Sequence, residues 1–182
     1  MTELEYEKAC RGDQAAVSGE YAWGSASITG ATSISFSGAN NETSNAGANC
    51  AYNNAGGVQG PLRVGAFAGG ATTRAQAGAT YYGIMEMSGN VWERTVTIGN
   101  ATGRNFTGLN GNGQLSPNGH ANQSLWPGIS GSEVTGATGS GFRGGTWDSG
   151  DSFARVSDRY SAVILYIIRG SNFGFRGVRV FP

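Results

Sequence analysis

Two glycine-, arginine- and aromatic-rich sequences near the end of the chain, GFRGGTW at residues 141–147 and FGFRGVRV at residues 173–180, decide the fold. Phe, Trp and Val fit a pleated, half-buried surface, and glycine allows close backbone approach, so both blocks are predicted to be strands. Arginine can hold neighbouring carbonyls or carboxylates through a planar fork of donors. We expect three members of the blocks to be structural: Trp147, Phe175 and Arg176.

The segment between the blocks has no catalytic arrangement of side chains. It contains one unbroken apolar run, VILYII at residues 163–168. Composition alone favours a buried strand for six apolar β-formers in a row. If the run is exposed instead, it forms a contiguous apolar patch, which on a soluble protein usually marks a binding site.

Length and charge exclude several functional classes. The chain has 182 residues, which suits one domain, and 12 Lys plus Arg balance 12 Asp plus Glu. A net charge of zero without a basic patch argues against nucleic-acid binding. No apolar run approaches the roughly 20 residues of a membrane span, so no membrane span is expected. No signal peptide is visible after Met1.

The first eleven residues, MTELEYEKACR, predict a helix over residues 2–11 that Gly12 ends. Thr2 and Glu5 have the spacing of a capping box. We expect an apolar face on this helix, formed by Leu4, Tyr6, Ala9 and Cys10.

The middle of the chain contains one well-defined motif between two long polar inserts. The sequence YYGIMEMSGNVWER at residues 81–94 predicts a strand, a turn at Gly89 and Asn90, and then Val91 and Trp92 packed inward. A short strand is also expected at residues 33–36.

Together these motifs resemble a known superfamily. The helix TELEYEKACRG, the YAWG at residues 21–24, residues 81–94 and the two C-terminal blocks are similar to the formylglycine-generating-enzyme-like (sulfatase-modifying factor) domains. The resemblance implies an α+β domain of C-type lectin fold over residues 1–182, with short twisted antiparallel strands, few helices and long ordered loops. Because family members have further elements before this helix, the N-terminal part of the domain is expected to be missing here.

The C-terminal segment more narrowly resembles the variable proteins of diversity-generating retroelements, in which adenine-directed mutagenesis rewrites this region. Residues 148–182 contain no Lys, Glu, Gln, Met or Trp. Those are the five types that randomising the first two bases of an asparagine codon cannot produce. The resemblance implies that residues 142–182 form a hypervariable receptor face for a protein ligand, with no cofactor and no enzymatic activity. The implied ligand-binding residues are Asp148, Ser149, Asp151, Phe153, Tyr160, Val163, Ile164, Leu165, Tyr166, Ile167, Ile168 and Phe173.

Two other functions compete with this interpretation. One is an enzyme of the formylglycine-generating superfamily with an unrecognised mechanism. Oxidase members use cysteines in the C-terminal region, but this chain has none after Cys50, and its single histidine, His120, cannot supply the ligand set of iron-dependent members. The other is a carbohydrate-binding lectin-like module, for which Asp, Asn and Trp would suit the face better than aliphatic residues.

One structural metal site is implied by the resemblance. Asn90 and Glu93 lie where superfamily members can hold Ca²⁺ through oxygen ligands. The alternative, which we favour, is that Glu93 pairs with an arginine and Asn90 only turns the chain.

Overall fold

The computed structural model describes residues 1–108 and 111–176. Over these residues the protein is an α+β domain in which a three-stranded sheet, two small hairpins and two α-helices are joined by ordered loops. The helices are α1 (Glu3–Arg11) and α2 (Ala101–Arg104), and single 3-10 turns occur at Ala55–Gly57 and Asp151–Ala154. The strands are β1 (Ile34–Ser35), β2 (Thr43–Ser44), β3 (Trp92–Val96), β4 (Ile129–Ser130), β5 (Glu133–Val134), β6 (Ser140–Arg143) and β7 (Phe173–Gly174).

Strand β3 is the centre of the main sheet, whose order is β6-β3-β7. It pairs antiparallel with β6, so that Arg94 lies opposite Phe142 and Glu93 opposite Arg143. It pairs parallel with β7, which places Trp92 opposite Phe173. The two blocks expected to be strands therefore flank the strand that continues from the internal motif.

Helix α1 begins and ends as its sequence predicts. Thr2 caps it, and the reciprocal bonds of the capping box with Glu5 are both present. Gly12 follows the helix with a φ of 65°, a conformation that favours glycine. The predicted apolar face was partly wrong. Leu4 is 59% exposed, whereas Glu3 is buried on the same face as Tyr6.

Glu3 is buried because an ion-pair network surrounds it. Its carboxylate receives Arg143 Nη1 at 2.7 Å and Arg159 Nη1 at 2.9 Å, and its second oxygen accepts the Thr97 hydroxyl and the Ile98 N–H, each at 2.9 Å. Burial would raise the pKa of Glu3, but the hydrogen bonds from Ile98, Arg143 and Thr97 outweigh it and lower that pKa. The network joins α1 to the last third of the chain.

The hydrophobic core lies between α1 and the loops. One cluster includes Tyr6, Tyr21, Trp23, Met87 and Val156, all almost fully buried. A smaller cluster surrounds Phe67, and the half-buried Trp147 packs against it. Trp147 is thus only partly withdrawn from solvent.

Three sequence expectations need correction. Residues 81–88 form turns and an isolated bridge, not a strand, because the chain folds back at Gly83, where the Thr80 N–H binds the Ile84 carbonyl at 2.8 Å. The predicted strand at residues 141–147 is only β6, ending at Arg143, since Gly144 and Gly145 both have positive φ. Phe175, expected to be structural, is 83% exposed. Of the second block, residues 177–180 lie outside the described residues.

Neither helix in the part of the chain that the structure describes has the length and apolar character needed to cross a lipid bilayer.

Candidate functional site

The apolar run at residues 163–168 is on the surface. Its exposed fractions are 50% for Val163, 54% for Leu165, 52% for Tyr166, 68% for Ile167 and 58% for Ile168. Ile164 is half-buried. The burial that composition alone favours is therefore wrong, and the exposure that the resemblance implies is observed.

The run is attached to the main sheet at both ends through backbone atoms. The Phe142 N–H of β6 donates to the Ser161 carbonyl at 2.9 Å, and the Trp92 N–H of β3 donates to the Asn172 carbonyl at 2.9 Å. Close approach also requires a glycine at position 141, because a Cβ there would lie 1.9 Å from the Ala162 carbonyl oxygen. Residues 161 and 172, on either side of the run, are therefore bonded to the sheet through their carbonyls. We refer to residues 163–168 as the apolar segment.

An aromatic row connects residues that flank the apolar segment in sequence with residues of the main sheet. Ring centroids are 5.3 Å apart for Tyr160 and Phe153, and 6.0 Å apart for Phe153 and Trp92. The row continues from Trp92 to Phe142 at 6.3 Å and from Phe142 to Phe173 at 4.9 Å. Three of the residues expected to bind ligand, Phe153, Tyr160 and Phe173, are thus gathered in one row with two scaffold aromatics.

Arg94 links this row to the apolar segment. Its guanidinium lies over the Phe142 ring, 4.4 Å from the centroid, and donates to Ser140 Oγ at 3.0 Å and to the Tyr166 carbonyl at 2.5 Å. Burial lowers the pKa of Arg94, and no acidic neighbour offsets that effect. In the sequence, Arg94 stands where the resembling family motif ends in a tryptophan, a departure to which no role at the face was assigned.

The polar residues expected on the face are engaged elsewhere. Asp148 accepts from the Thr146 hydroxyl, and Ser149 Oγ lies 2.7 Å from that same hydroxyl. Asp151 accepts from Tyr21 at 3.1 Å and pairs with Arg155 at 3.4 Å. Within residues 1–108 and 111–176, no hydrogen bond or ion pair joins these three to the apolar segment.

The candidate calcium ligands Asn90 and Glu93 already have protein partners. Asn90 has a φ of 67° and exchanges hydrogen bonds of 2.7 and 3.0 Å with the backbone of Leu62. Glu93 pairs with Arg176 at 2.5 Å, although its second carboxylate oxygen is buried without a partner. These contacts favour the arginine pair and the turn over a metal site, and calcium ligation stays a prediction of the resemblance.

The thiols and the histidine are poorly placed for chemistry. Burial raises the pKa of Cys10 to about 12 and raises that of Cys50 well above its ordinary value. Both thiols are buried and free. His120 lies in a loop, and the described part of the chain contains no group of three or more His, Cys, Asp or Glu side chains that could hold a metal ion.

A mixed sheet with few helices and long loops defines an α+β domain. The family model described as "Sulfatase-modifying factor enzyme 1-like domain" matches residues 1–181, so the chain belongs to the FGE-sulfatase family. Membership implies the C-type lectin-like fold, as the sequence motifs predicted. Neither a curated protein nor a solved structure matched the chain.

Proposed function

We propose that this protein is a ligand-binding module whose apolar segment forms the centre of a binding face for another protein. The observation that carries the proposal is the exposure of five of the six residues of this run, Val163, Leu165, Tyr166, Ile167 and Ile168. Exposed contiguous apolar surface costs solubility and on monomers is usually an interaction site. An aliphatic and aromatic centre also matches the composition of protein interface cores.

The scaffold supports this role, because the segment is an irregular loop held on a sheet. Residues 163–172 contain no helix or strand, yet backbone bonds from Phe142 and Trp92 fix their two ends. Binding residues are commonly placed on loops that a rigid scaffold positions. The neighbouring aromatic row supplies further anchors, of which Tyr160 is 74% exposed.

The proposed module is not an enzyme. A thiol must ionise to act as a nucleophile, and burial raises the pKa of both Cys10 and Cys50 far from neutrality. For a sugar-binding module, the aliphatic side chains of the apolar segment supply no hydrogen bonds. No observation favours either alternative.

We further propose that residues 142–182, which include the apolar segment, are diversified by a retroelement. The absence of Lys, Glu, Gln, Met and Trp from residues 148–182 supports this. The test is genomic: a near-repeat of the DNA coding for residues 142–182, differing only where the repeat has adenine, with a reverse-transcriptase gene nearby. Finding no such repeat in the complete source genome would contradict diversification and leave the binding proposal standing.

The binding face is tested by replacing Val163, Ile164, Leu165 and Tyr166 together with Ser. Because these side chains are mostly exposed, we expect the variant to fold, with a Tm within about 5 °C of the parent; core residues would lower it by more than about 10 °C. A partner isolated with the parent protein and then purified should bind the variant at least about 30-fold more weakly, since few anchors carry most binding energy. The matched control is Leu125→Ser with Val64→Ser, both exposed apolar residues outside the segment. Equal affinity of the parent and the quadruple variant would exclude the proposed face.

A further inference from the structure

We infer that the partner of this face presents a carboxylate beside an apolar patch, and that Arg94 and Arg169 recognise it. The inference rests on the proposed function and names the chemistry of its ligand. It follows from the charges around the apolar segment and from the way Arg94 is held against it.

The surroundings of the apolar segment are cationic. Residues 159–176 contain no Asp or Glu and three arginines. Arg159 is paired with Glu3 and Glu7, and Arg176 with Glu93, which leaves Arg169 directly after the segment. Within the described ranges neither Arg94 nor Arg169 takes part in an ion pair. Two cations beside the segment are therefore uncompensated.

The protein's own acids do not neutralise these cations. Asp151 is paired with Arg155, and Asp148 accepts from Thr146. Glu93 is adjacent to Arg94 in the strand, but strand neighbours point to opposite faces of a sheet, and Glu93 is buried against Arg176. Among the described residues no acid compensates Arg94 or Arg169, so a carboxylate of the partner can supply that charge.

A neutral partner that covers this surface would lose binding free energy. Arg94 is half-buried and bonded to the Tyr166 carbonyl, so a partner that covers Tyr166 also removes water from the guanidinium. A desolvated charge without a counter-charge costs several kcal/mol. A carboxylate removes that penalty, because it can accept two parallel hydrogen bonds from a guanidinium. Arg169 is exposed and would act at the rim of the same contact.

The test uses a defined probe. Variants of one small helical scaffold would be displayed as a library. Their randomised surface positions would hold apolar residues and equal shares of Asp, Glu, Lys and Arg. Binders would be selected on the parent protein and counter-selected on the Val163, Ile164, Leu165 and Tyr166 to Ser variant. We expect Asp and Glu to outnumber Lys and Arg several-fold among binders specific for the face.

Selected binders would then be measured on three single variants. Arg94→Gln should weaken binding at least about 30-fold, as loss of one partner of a desolvated pair does. Arg169→Gln has no scaffold contact to lose in the described residues and should mainly slow association and reduce its salt dependence, as rim charges do. Arg63→Gln, an exposed arginine on another loop, should change nothing.

Two results would overturn the inference, and they have different consequences for the proposed function. Face-specific binders without an acidic excess, or unaffected by both Arg94→Gln and Arg169→Gln, would refute acidic recognition and leave the binding face intact. Binders that all bind the quadruple serine variant as well as the parent would mean that the face takes no ligand, so the proposed function would fail and the inference with it.

Discussion

Two buried glutamates, Glu3 and Glu86, have pKa values displaced in opposite directions. Glu3 is surrounded by donors, which hold its pKa low despite burial. Burial raises the pKa of Glu86 to about 7, and the Gly65 N–H and the charge of Arg176 only partly oppose it. The same residue type is thus ionised at one position and close to half-protonated at neutral pH at the other.

Glu86→Gln should flatten the pH dependence of stability. Because the folded pKa of about 7 lies above the ordinary glutamate value of 4.5, the stability that protonated Glu86 contributes is fully present below about pH 4.5 and is lost as the pH rises through 7. The variant should therefore be more stable than the parent at pH 8, by on the order of 2 kcal/mol, and gain little at pH 4.5. Urea unfolding of the parent and the variant between pH 4.5 and 8 measures the difference in stability, with Glu133→Gln as the control. A gain that is equal at all pH values would contradict the raised pKa.

At the scale of single elements, the ends of helix α1 and the position of a turn were the features that the sequence predicted best. The ends of α1 follow from Thr2, Glu5 and Gly12, and the turn at Gly89 and Asn90 is observed with positive φ at both residues. Strand lengths were not predictable, because they depend on partners distant in sequence. The burial of Glu3 was not predictable either, because its buried counter-charge, Arg143, lies 140 residues away in the sequence.

Thr2→Ala should destabilise the domain through α1 alone. The Thr2 hydroxyl accepts the Glu5 N–H at 3.1 Å, and losing such a cap costs about 1 kcal/mol. Thr2→Ser keeps the oxygen and should cost much less, so the pair of variants isolates the hydrogen bond. Chemical unfolding monitored by circular dichroism measures both. Equal losses for the two variants would show that the threonine methyl group, not the cap, is responsible.

At the scale of the whole molecule, strand β3 separates two kinds of surface. Glu93 and Thr95 are buried on one face, whereas Trp92 and Arg94 are half-buried on the other, where Arg94 bonds to the Tyr166 carbonyl of the apolar segment. The sequence motifs predicted the family and the exposed run, but not Arg94 as the link between strand and segment. That contact depends on a backbone carbonyl 72 residues away, which no local pattern encodes.

Arg143→Met should be the most damaging of the single substitutions considered. Arg143 is fully buried and pairs with Glu3, so its removal leaves the buried carboxylate with only the partly exposed Arg159 as a counter-charge, at a cost of about 3 kcal/mol. Arg159→Met removes the exposed member of the same network and should cost no more than about 1 kcal/mol. Adding Glu3→Gln to Arg143→Met should recover part of the loss, and unfolding free energies of the three variants measure this. A double variant less stable than Arg143→Met would contradict the explanation.

The contacts that hold the apolar segment have a consequence for engineering. Three donors fix it, and all three are received by main-chain carbonyls, those of Ser161, Tyr166 and Asn172. Every amino acid, proline included, has that carbonyl, so these three contacts do not depend on which side chains the segment carries. Proteins with this framework and unrelated residues at positions 163–168 should therefore superpose along the loop, which makes the domain a display framework whose recognition surface can be exchanged without redesigning what supports it.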